Sequence, residues 1–375
     1  MTEHFAPDEL RRYGRQIILP EIGIAGQRRL RDARVLVVGA GGLGSPAALY
    51  LAAAGVGTLG LVEFDAVDET NLHRQILFAT RDVGRAKIEA AAERLGATNP
   101  HVRIERHPTR FDVGNALGLV AGYDLVVDGT DNFPTRYLVN DACVRAERPL
   151  IWGSVFRFEG QVSVFAAPGG PCYRCLFPEP PPPGLVPSCA EAGVFGALPG
   201  VIGSLQAAQA IQWITGVGEP LVGRLLLFDS LAGTFREVRL PKDPTCPRCA
   251  PGRSAAPLEA YSDVCEIPGD AFEIEALDLA RRLGAGESIA LLDVREAFER
   301  ELAVLPRDLW IPLRDLPRRA GEVPADRPVV VYCHVGGRSA RAVEYLRRSG
   351  RPRAFNLAGG IDAWSEQVDP SVARY

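Results

Sequence analysis

Three groups of residues in this chain have types and spacings that could do chemistry. Two Cys-x-x-Cys pairs, Cys172 and Cys175 in CYRC and Cys246 and Cys249 in CPRC, can each place two thiolates on one metal ion. Together they complete a tetrahedral four-thiolate site, which suits structural Zn2+ and leaves no position open for catalysis. Redox pairs or an iron–sulfur centre are the competing uses, yet neither requires two matched pairs bracketing a domain. The second group surrounds Cys333 in VVVYCHVGGRSARA, where an apolar run ends on a thiol inside a glycine-rich loop that opens onto a helix. Backbone N–H groups and a helix N-terminus aimed at one spot form an anion cradle.

The third group is spread along the first half of the chain. In VVGAGGLGSP, Gly39, Gly41 and Gly44 have the spacing of a dinucleotide-binding loop, and an acid, Glu63, follows about 20 residues on. NLHRQ supplies Asn71, Arg74 and Gln75, GRAK supplies Lys87, and DGTDN supplies Asp128, Asp131 and Asn132 just past an apolar strand. Two cations with carboxylates at the strands' carboxyl end suit ATP and Mg2+ better than hydride transfer. A triphosphate needs cationic neutralisation of its oxygens and a carboxylate to position Mg2+.

The elements that must position these groups are legible in outline. ARVLVVGAGGLGSPAALYLAAAGVGTLGLVEFD reads strand, glycine turn, helix, strand, and further strands are expected at YDLVVDGTD and PLIWGSV. Helices at Lys87 to Leu95 and Pro134 to Ala146 separate them, which implies a largely parallel, doubly wound sheet. PEPPPPGLVP, from Pro178 to Pro187, reads as a stiff exposed crossover. GVIGSLQAAQAIQWITG then reads as a buried helix and RLLLFDSLAGTFREVRL as a hairpin turning at Ala232 and Gly233. The division expected is a first domain over 1–250, a polar linker over 251–270 and a compact αβ domain over 271–375. No internal repeat is evident.

Composition limits the functions available. With 375 residues, 47% hydrophobic and 23% charged, the chain has the make-up of a globular protein of two or three domains. A net charge of −4 gives no electrostatic case for nucleic acid or an anionic membrane. No apolar stretch approaches a membrane span and the start, MTEHFAPDELRRYGRQ, is too charged for a secretory signal, so a cytoplasmic location is expected. The eight cysteines are then expected to be reduced thiols rather than disulfides.

The combination of RYGRQIILPEIG, GAGGLGSP, NLHRQ, GRAKIEAA, DGTDNFPTRYLVND, EGQVSVF, PCYRCLFPEP and CAEAGVFGALPGVIGSLQA resembles the MoeB/ThiF family of ubiquitin-activating-like adenylyltransferases. The resemblance implies a Rossmann-like fold with a zinc-stapled end and ATP-dependent adenylation of the C-terminal Gly-Gly carboxylate of a ubiquitin-like sulfur carrier. It implies that Gly41 and the neighbouring amides of Gly39, Gly42 and Gly44 receive the nucleotide and that Glu63 meets the ribose. Arg74 and Lys87 would meet the phosphates and Asp131 the Mg2+, with Asn71, Gln75 and Asn132 lining the site. Arg15 matches an arginine that reaches the partner subunit's ATP, which implies a homodimer. Glu63 departs from the family's usual Asp. Cys189 in PSCAEAGV matches the family's thioester-type cysteine, a candidate for a covalent carrier adduct, whereas Cys143 and Cys265 lack any such context.

LLDVREAFE, VVVYCHVGGRSARAVEYLRRSG and RAFNLAGGIDAWSEQVDP resemble a single rhodanese domain. That implies a persulfide on Cys333, held by the loop amides and by Arg338, with Asp293 and Arg295 as a supporting salt bridge. The Cys-x4-Arg loop is one residue shorter than the Cys-x5-Arg loop of protein phosphatases, which favours sulfur over phosphate. The family's usual Gly-His-Ile-Pro-Gly-Ala stretch, one wall of the pocket entrance, is replaced by RELAVLPRDLWIPL, in which only the final IPL is kept. Together the two halves imply an adenylyltransferase and sulfurtransferase supplied by a cysteine desulfurase or thiosulfate, serving a carrier of molybdenum cofactor biosynthesis, thiamine synthesis, tRNA thiolation or cysteine synthesis. The alternatives are a rhodanese domain used only for docking, an NAD-dependent oxidoreductase, and a carrier-binding scaffold. ATP–pyrophosphate exchange separates these classes.

Overall fold

The computed structural model describes residues 5–180, 193–260 and 272–375. Among these the chain forms two compact units, each with its own sheet.

The first unit is built on eight strands, β1 (Arg34–Val38), β2 (Thr58–Val62), β3 (Arg103–His107), β4 (Leu125–Asp128), β5 (Leu150–Phe156), β6 (Glu159–Phe165), β7 (Arg224–Asp229) and β8 (Thr234–Arg239). Their order is β3-β2-β1-β4-β5-β6-β7-β8. Strands β1 to β5 pair in parallel, while β5 to β8 continue as an antiparallel meander, so the sheet is parallel over only part of its width. The chain reverses direction across the sheet between β1 and β4, whose last residues, Val38 and Asp128, stand side by side. In open α/β sheets this switch point leaves a crevice beyond the strand ends.

Both faces of the central strands are covered. Val35 and Val37 of β1 pack into one core with helix Gly44–Ala54 and helix Leu198–Thr215, while Leu36 and Val38 pack into another with helix Phe133–Ala146. That alternation is the period of two expected of a strand buried on both sides. Helix Phe133–Ala146 starts on Asn132, whose side chain accepts from the Thr135 N–H at 2.9 Å. Glycines let the layers close. A Cβ on Gly44 would stand 1.9 Å from the Gly39 carbonyl oxygen, and one on Gly203 would stand 2.4 Å from that of Leu43.

The second unit holds a five-stranded, wholly parallel sheet of β9 (Glu273–Ile274), β10 (Ala290–Asp293), β11 (Leu309–Trp310), β12 (Val329–Tyr332) and β13 (Ala354–Leu357), in the order β11-β10-β12-β13-β9. Central strand β12 is buried along its whole length and runs into the loop of Cys333, which feeds helix Gly337–Arg348. Most of the proline-rich crossover, with Cys189, and the later part of the linker, with Cys265, lie outside the described residues. No described helix is long and apolar enough to cross a membrane.

Candidate functional site

In the first unit a cleft of about 370 Å³ opens at the β1/β4 switch point. Gly39, Gly41, Gly42, Glu63, Arg74, Gln75, Lys87, Asp131 and Asn132 all line it. Gly39 takes φ +86°, and Gly129 after β4 comes so close that its Cβ would meet the Gly39 carbonyl at 2.6 Å. The two glycine turns thereby form one backbone-lined floor, open to a phosphate chain.

Glu63 is buried and holds that floor in place. Its Oε2 accepts from the Ala40 N–H at 3.0 Å, and its Oε1 from the N–H groups of Phe64 at 2.8 Å and Asp65 at 2.9 Å. The carboxylate ties the glycine loop to the end of β2 as well as facing the cleft. Lys87 is buried with its Nζ 3.6 Å from Asp65, at the start of helix Lys87–Thr98. Arg74 reaches the Thr70 carbonyl at 3.1 Å and the His73 ring at 2.8 Å, and burial followed by the Arg74 charge holds the His73 imidazole below its ordinary pKa. Two cations and the exposed Asp131 carboxylate thus converge on one glycine-lined opening. Gln75 Oε1 is buried there without a hydrogen-bond partner among the described residues, an acceptor ready for a donor from a ligand.

Some expected residues stand elsewhere. Gly44 packs behind the loop instead of lining the cleft, and Asn71 bonds to Thr70 Oγ1 at 3.2 Å outside the lining. Arg15, expected to reach a partner subunit's ATP, is exposed on helix Pro7–Ile17 and does not line this chain's own cleft. Asp128 is fully buried and shapes the turn, its Oδ1 accepting from the Thr130 N–H and hydroxyl at 2.9 and 2.6 Å. Sequence reasoning passed over the wall formed by Thr109 to Val113 and the pairing of Arg110 over the Phe64 ring at 4.1 Å, for HPTRFDV carries no motif.

The four cysteines of the paired motifs meet across a separation of 74 residues. All four sulfurs lie within 4.8 Å of one another, with Cys172 to Cys246 at 3.6 Å and Cys175 to Cys249 at 3.4 Å. A tetrahedron with arms of about 2.3 Å has edges of about 3.8 Å, so the cluster is compatible with Zn2+. Its thiols cannot ionise together unaided. The Cys172–Cys175 hydrogen bond pushes Cys172 up, helped by burial, and the same bond takes Cys175 down to about 5. Backbone N–H groups of Asp243, Arg248 and Cys249 point at these sulfurs, and Arg174, bidentate on buried Asp141 at 2.9 Å, ties the knuckle to helix Phe133–Ala146. Cys143 is buried on that same helix, its thiol pushed well up by burial.

In the second unit Cys333 is buried at the end of β12, 1% exposed. Its sulfur accepts from the Gly336 N–H at 3.2 Å and from the Ser339 hydroxyl at 3.3 Å. The N–H groups of Ile361 and Asp362 bind the carbonyls of Cys333 and His334 at 2.9 and 3.1 Å, fixing the loop from behind. That approach requires Gly360, where a Cβ would meet the His334 carbonyl at 2.3 Å. Asp293 and Arg295 form the expected ion pair, at 2.7 Å and wholly buried.

Arg338, expected to help hold a sulfur anion, is engaged by a carboxylate. Its guanidinium is bidentate on Glu299, at 2.7 and 2.6 Å. The cation of the loop is therefore balanced by a carboxylate from helix Ala297–Arg300, and Ser339 takes the place beside the thiol. Glu299 and Ser339 lie within LLDVREAFE and VVVYCHVGGRSARA, but the motifs single out neither.

A glycine-floored nucleotide cleft with a four-cysteine knuckle defines the first unit, and a cradled thiol the second. The chain belongs to the ThiF family, whose model matches residues 13–248, and carries a rhodanese-like domain matching residues 275–367. It is 45% identical over 381 residues to the probable adenylyltransferase/sulfurtransferase MoeZ of Mycobacterium tuberculosis, spanning 98% of this chain and 96% of that one. The sulfur carrier protein adenylyltransferase of Thermus thermophilus is 55% identical over 265 residues, 69% of this chain and 98% of its own. The adenylyltransferase and sulfurtransferase MOCS3 of Anopheles gambiae is 43% identical over 393 residues, covering 98% and 89%. Among solved structures, E. coli MccB with ATP superposes with a TM-score of 0.53 at 25% identity, over 60% of this chain and 69% of that one.

Proposed function

We propose that this protein adenylates the C-terminal Gly-Gly carboxylate of a ubiquitin-like sulfur carrier and then converts it to a thiocarboxylate. The observation that carries the reading is the convergence of Arg74, Lys87 and Asp131 on a glycine-lined switch-point cleft, in a chain that also holds a cradled thiol. The names of the relatives in Mycobacterium tuberculosis and Thermus thermophilus agree with it.

In the first half-reaction a carrier carboxylate oxygen attacks the α-phosphorus of ATP and pyrophosphate leaves. Arg74 and Lys87 neutralise phosphate charge and Glu63 keeps the loop amides aimed at the phosphates while facing the ribose; Asp131 would hold a Mg2+ ion, which would supply further neutralisation of phosphate charge. In the second, the terminal sulfur of a Cys333 persulfide attacks the acyl carbon and AMP leaves, giving an acyl disulfide. A second thiolate, for which Cys189 is the candidate, attacks the Cys333 sulfur and releases the thiocarboxylate; the resulting disulfide is reset by a thiol reductant. The Gly336 amide and the Ser339 hydroxyl stabilise sulfur anion, and tethering raises the local concentration of the sulfur donor. Cys172, Cys175, Cys246 and Cys249 would hold Zn2+, which would staple the adenylating domain.

The same reading places the domains at about 1–250 and 271–375, makes the protein a cytoplasmic homodimer through Arg15, and assigns the persulfide sulfur to a cysteine desulfurase or to thiosulfate. ATP–pyrophosphate exchange dependent on a Gly-Gly carrier tests the activating half. Exchange abolished by Lys87→Ala supports it, and no exchange with any Gly-Gly carrier overturns it.

A further inference from the structure

The sulfur-transfer reading uses Cys333, Ser339 and the loop amides and gives no task to Tyr375. Yet Tyr375 meets the loop at both of its ends. Its ring lies flat on the imidazole of His334, the residue after Cys333, with centroids 4.4 Å apart and planes 9° apart. Its hydroxyl accepts from Arg295 Nη1 at 2.7 Å and donates to Glu299 Oε1 at 3.2 Å. The direction is fixed, because a guanidinium can only donate and a carboxylate can only accept.

Glu299 is the pivot of this arrangement. Its two oxygens accept four bonds: two from Arg338, one from the Glu296 N–H at 3.0 Å and one from Tyr375. A carboxylate has about four such positions, so Glu299 has one orientation open to it. Between His334 and Arg338 the loop contains only Val335, Gly336 and Gly337, and Val335 is exposed. The backbone is pinned at Cys333 and His334 by the N–H groups of Ile361 and Asp362, but the His334 and Arg338 side chains are braced from Tyr375.

We propose that Tyr375 is a positioning residue for sulfur transfer, holding His334 by its ring and Arg338 through Glu299 so that the Cys333 loop keeps one shape as sulfur arrives and leaves. The proposal rests on the sulfur-transfer reading of Cys333. It carries a signature that a merely structural residue lacks. Burial depresses the His334 imidazole, Asp362, Glu299 and a hydrogen bond to the Tyr375 backbone raise it and Arg338 lowers it, so lifting the ring off while the backbone bond stays raises its pKa toward the ordinary value.

The test uses the full chain as wild type, Tyr375→Phe and Tyr375→Leu. Sulfur transfer from thiosulfate to cyanide, the alkylation rate of Cys333 followed by peptide mass, and the NMR titration of His334 are measured on each. The expected result is a ~10-fold lower kcat for Tyr375→Leu, short of the ~100-fold that a displacement of about 1 Å can bring. Tyr375→Phe keeps the stack, loses the bond to Glu299 and falls between the two with a wild-type His334 titration. A Tyr375→Leu protein with wild-type kcat, or with lowered kcat but unchanged His334 titration and Cys333 alkylation, overturns the proposal. If wild type transfers no sulfur, the parent reading fails for that donor, and the clamp is still judged by alkylation and titration, which need no donor.

Discussion

Replacing Glu63 by Gln isolates what one carboxylate does for nucleotide binding. The native side chain accepts three backbone N–H groups, two on Oε1 and one, from Ala40, on Oε2. An amide can accept at one end only. Keeping its oxygen on Phe64 and Asp65 loses the fewer bonds, which turns the NH2 toward the Ala40 N–H inside the glycine loop. Losing that charge-assisted bond and leaving a buried donor unpaired costs about 1–3 kcal/mol. With about 2 kcal/mol charged against the loop shape that the nucleotide needs, KM for ATP rises roughly 30-fold, at 1.4 kcal/mol per factor of ten. Because the loop serves ground state and transition state alike, kcat changes much less. The assay is ATP–pyrophosphate exchange over a range of ATP at saturating carrier, with thermal unfolding as a check on folding. A folded Glu63→Gln protein with wild-type KM would mean that Glu63 does not hold the loop for the nucleotide.

Other outcomes follow from the same geometry. Gly44→Ala forces a methyl to within 1.9 Å of the Gly39 carbonyl, and a backbone shift costing at least about 1–3 kcal/mol should lower the first unit's Tm and its exchange activity together. Cys246→Ser removes one of four sulfurs, and elemental analysis should find zinc in the wild type and little in the variant, with a lower Tm that chelator imposes on the wild type as well. At Glu299, burial raises the carboxyl pKa, but the bonds and charge of Arg338, the Glu296 N–H and the Arg295 charge together outweigh it, so the folded value lies below the ordinary one. Its stabilisation is present above the unfolded value of about 4.3 and lost as pH falls through the folded value, so the second unit's Tm should drop more steeply in acid for wild type than for Glu299→Gln.

The parts of the fold that could be read were those whose sequence pattern has a local cause. Strands β1, β2, β4 and β5 are continuous apolar runs because both faces are covered, and the β7–β8 hairpin shows itself by its turn. Strand β3, RIERH, sits at the sheet edge with Arg103 and Arg106 exposed and carries no such pattern. Strand β6 was met only as a motif, and its antiparallel pairing is what ends the parallel half of the sheet. The site divides in the same way. The glycine loop, the cations and the cysteine pairs announce themselves by spacing, whereas Glu299 reaches Arg338 across 39 residues and Tyr375 across 76. Such contacts are made by the packing of distant elements, and a four-residue helix like Ala297–Arg300 has too little periodicity to reveal the face it presents.

The central claim is that one chain activates a carboxylate and then delivers sulfur to it from Cys333. Intact-mass spectrometry of a Gly-Gly carrier, incubated with Mg-ATP, thiosulfate and either the wild-type protein or Cys333→Ala, tests it most directly. The carrier is expected to gain the mass difference of one sulfur for one oxygen with the wild type and not with Cys333→Ala, which still adenylates it. Equal conversion by both proteins, or adenylation without any sulfur gain across thiosulfate and desulfurase persulfide, would contradict it.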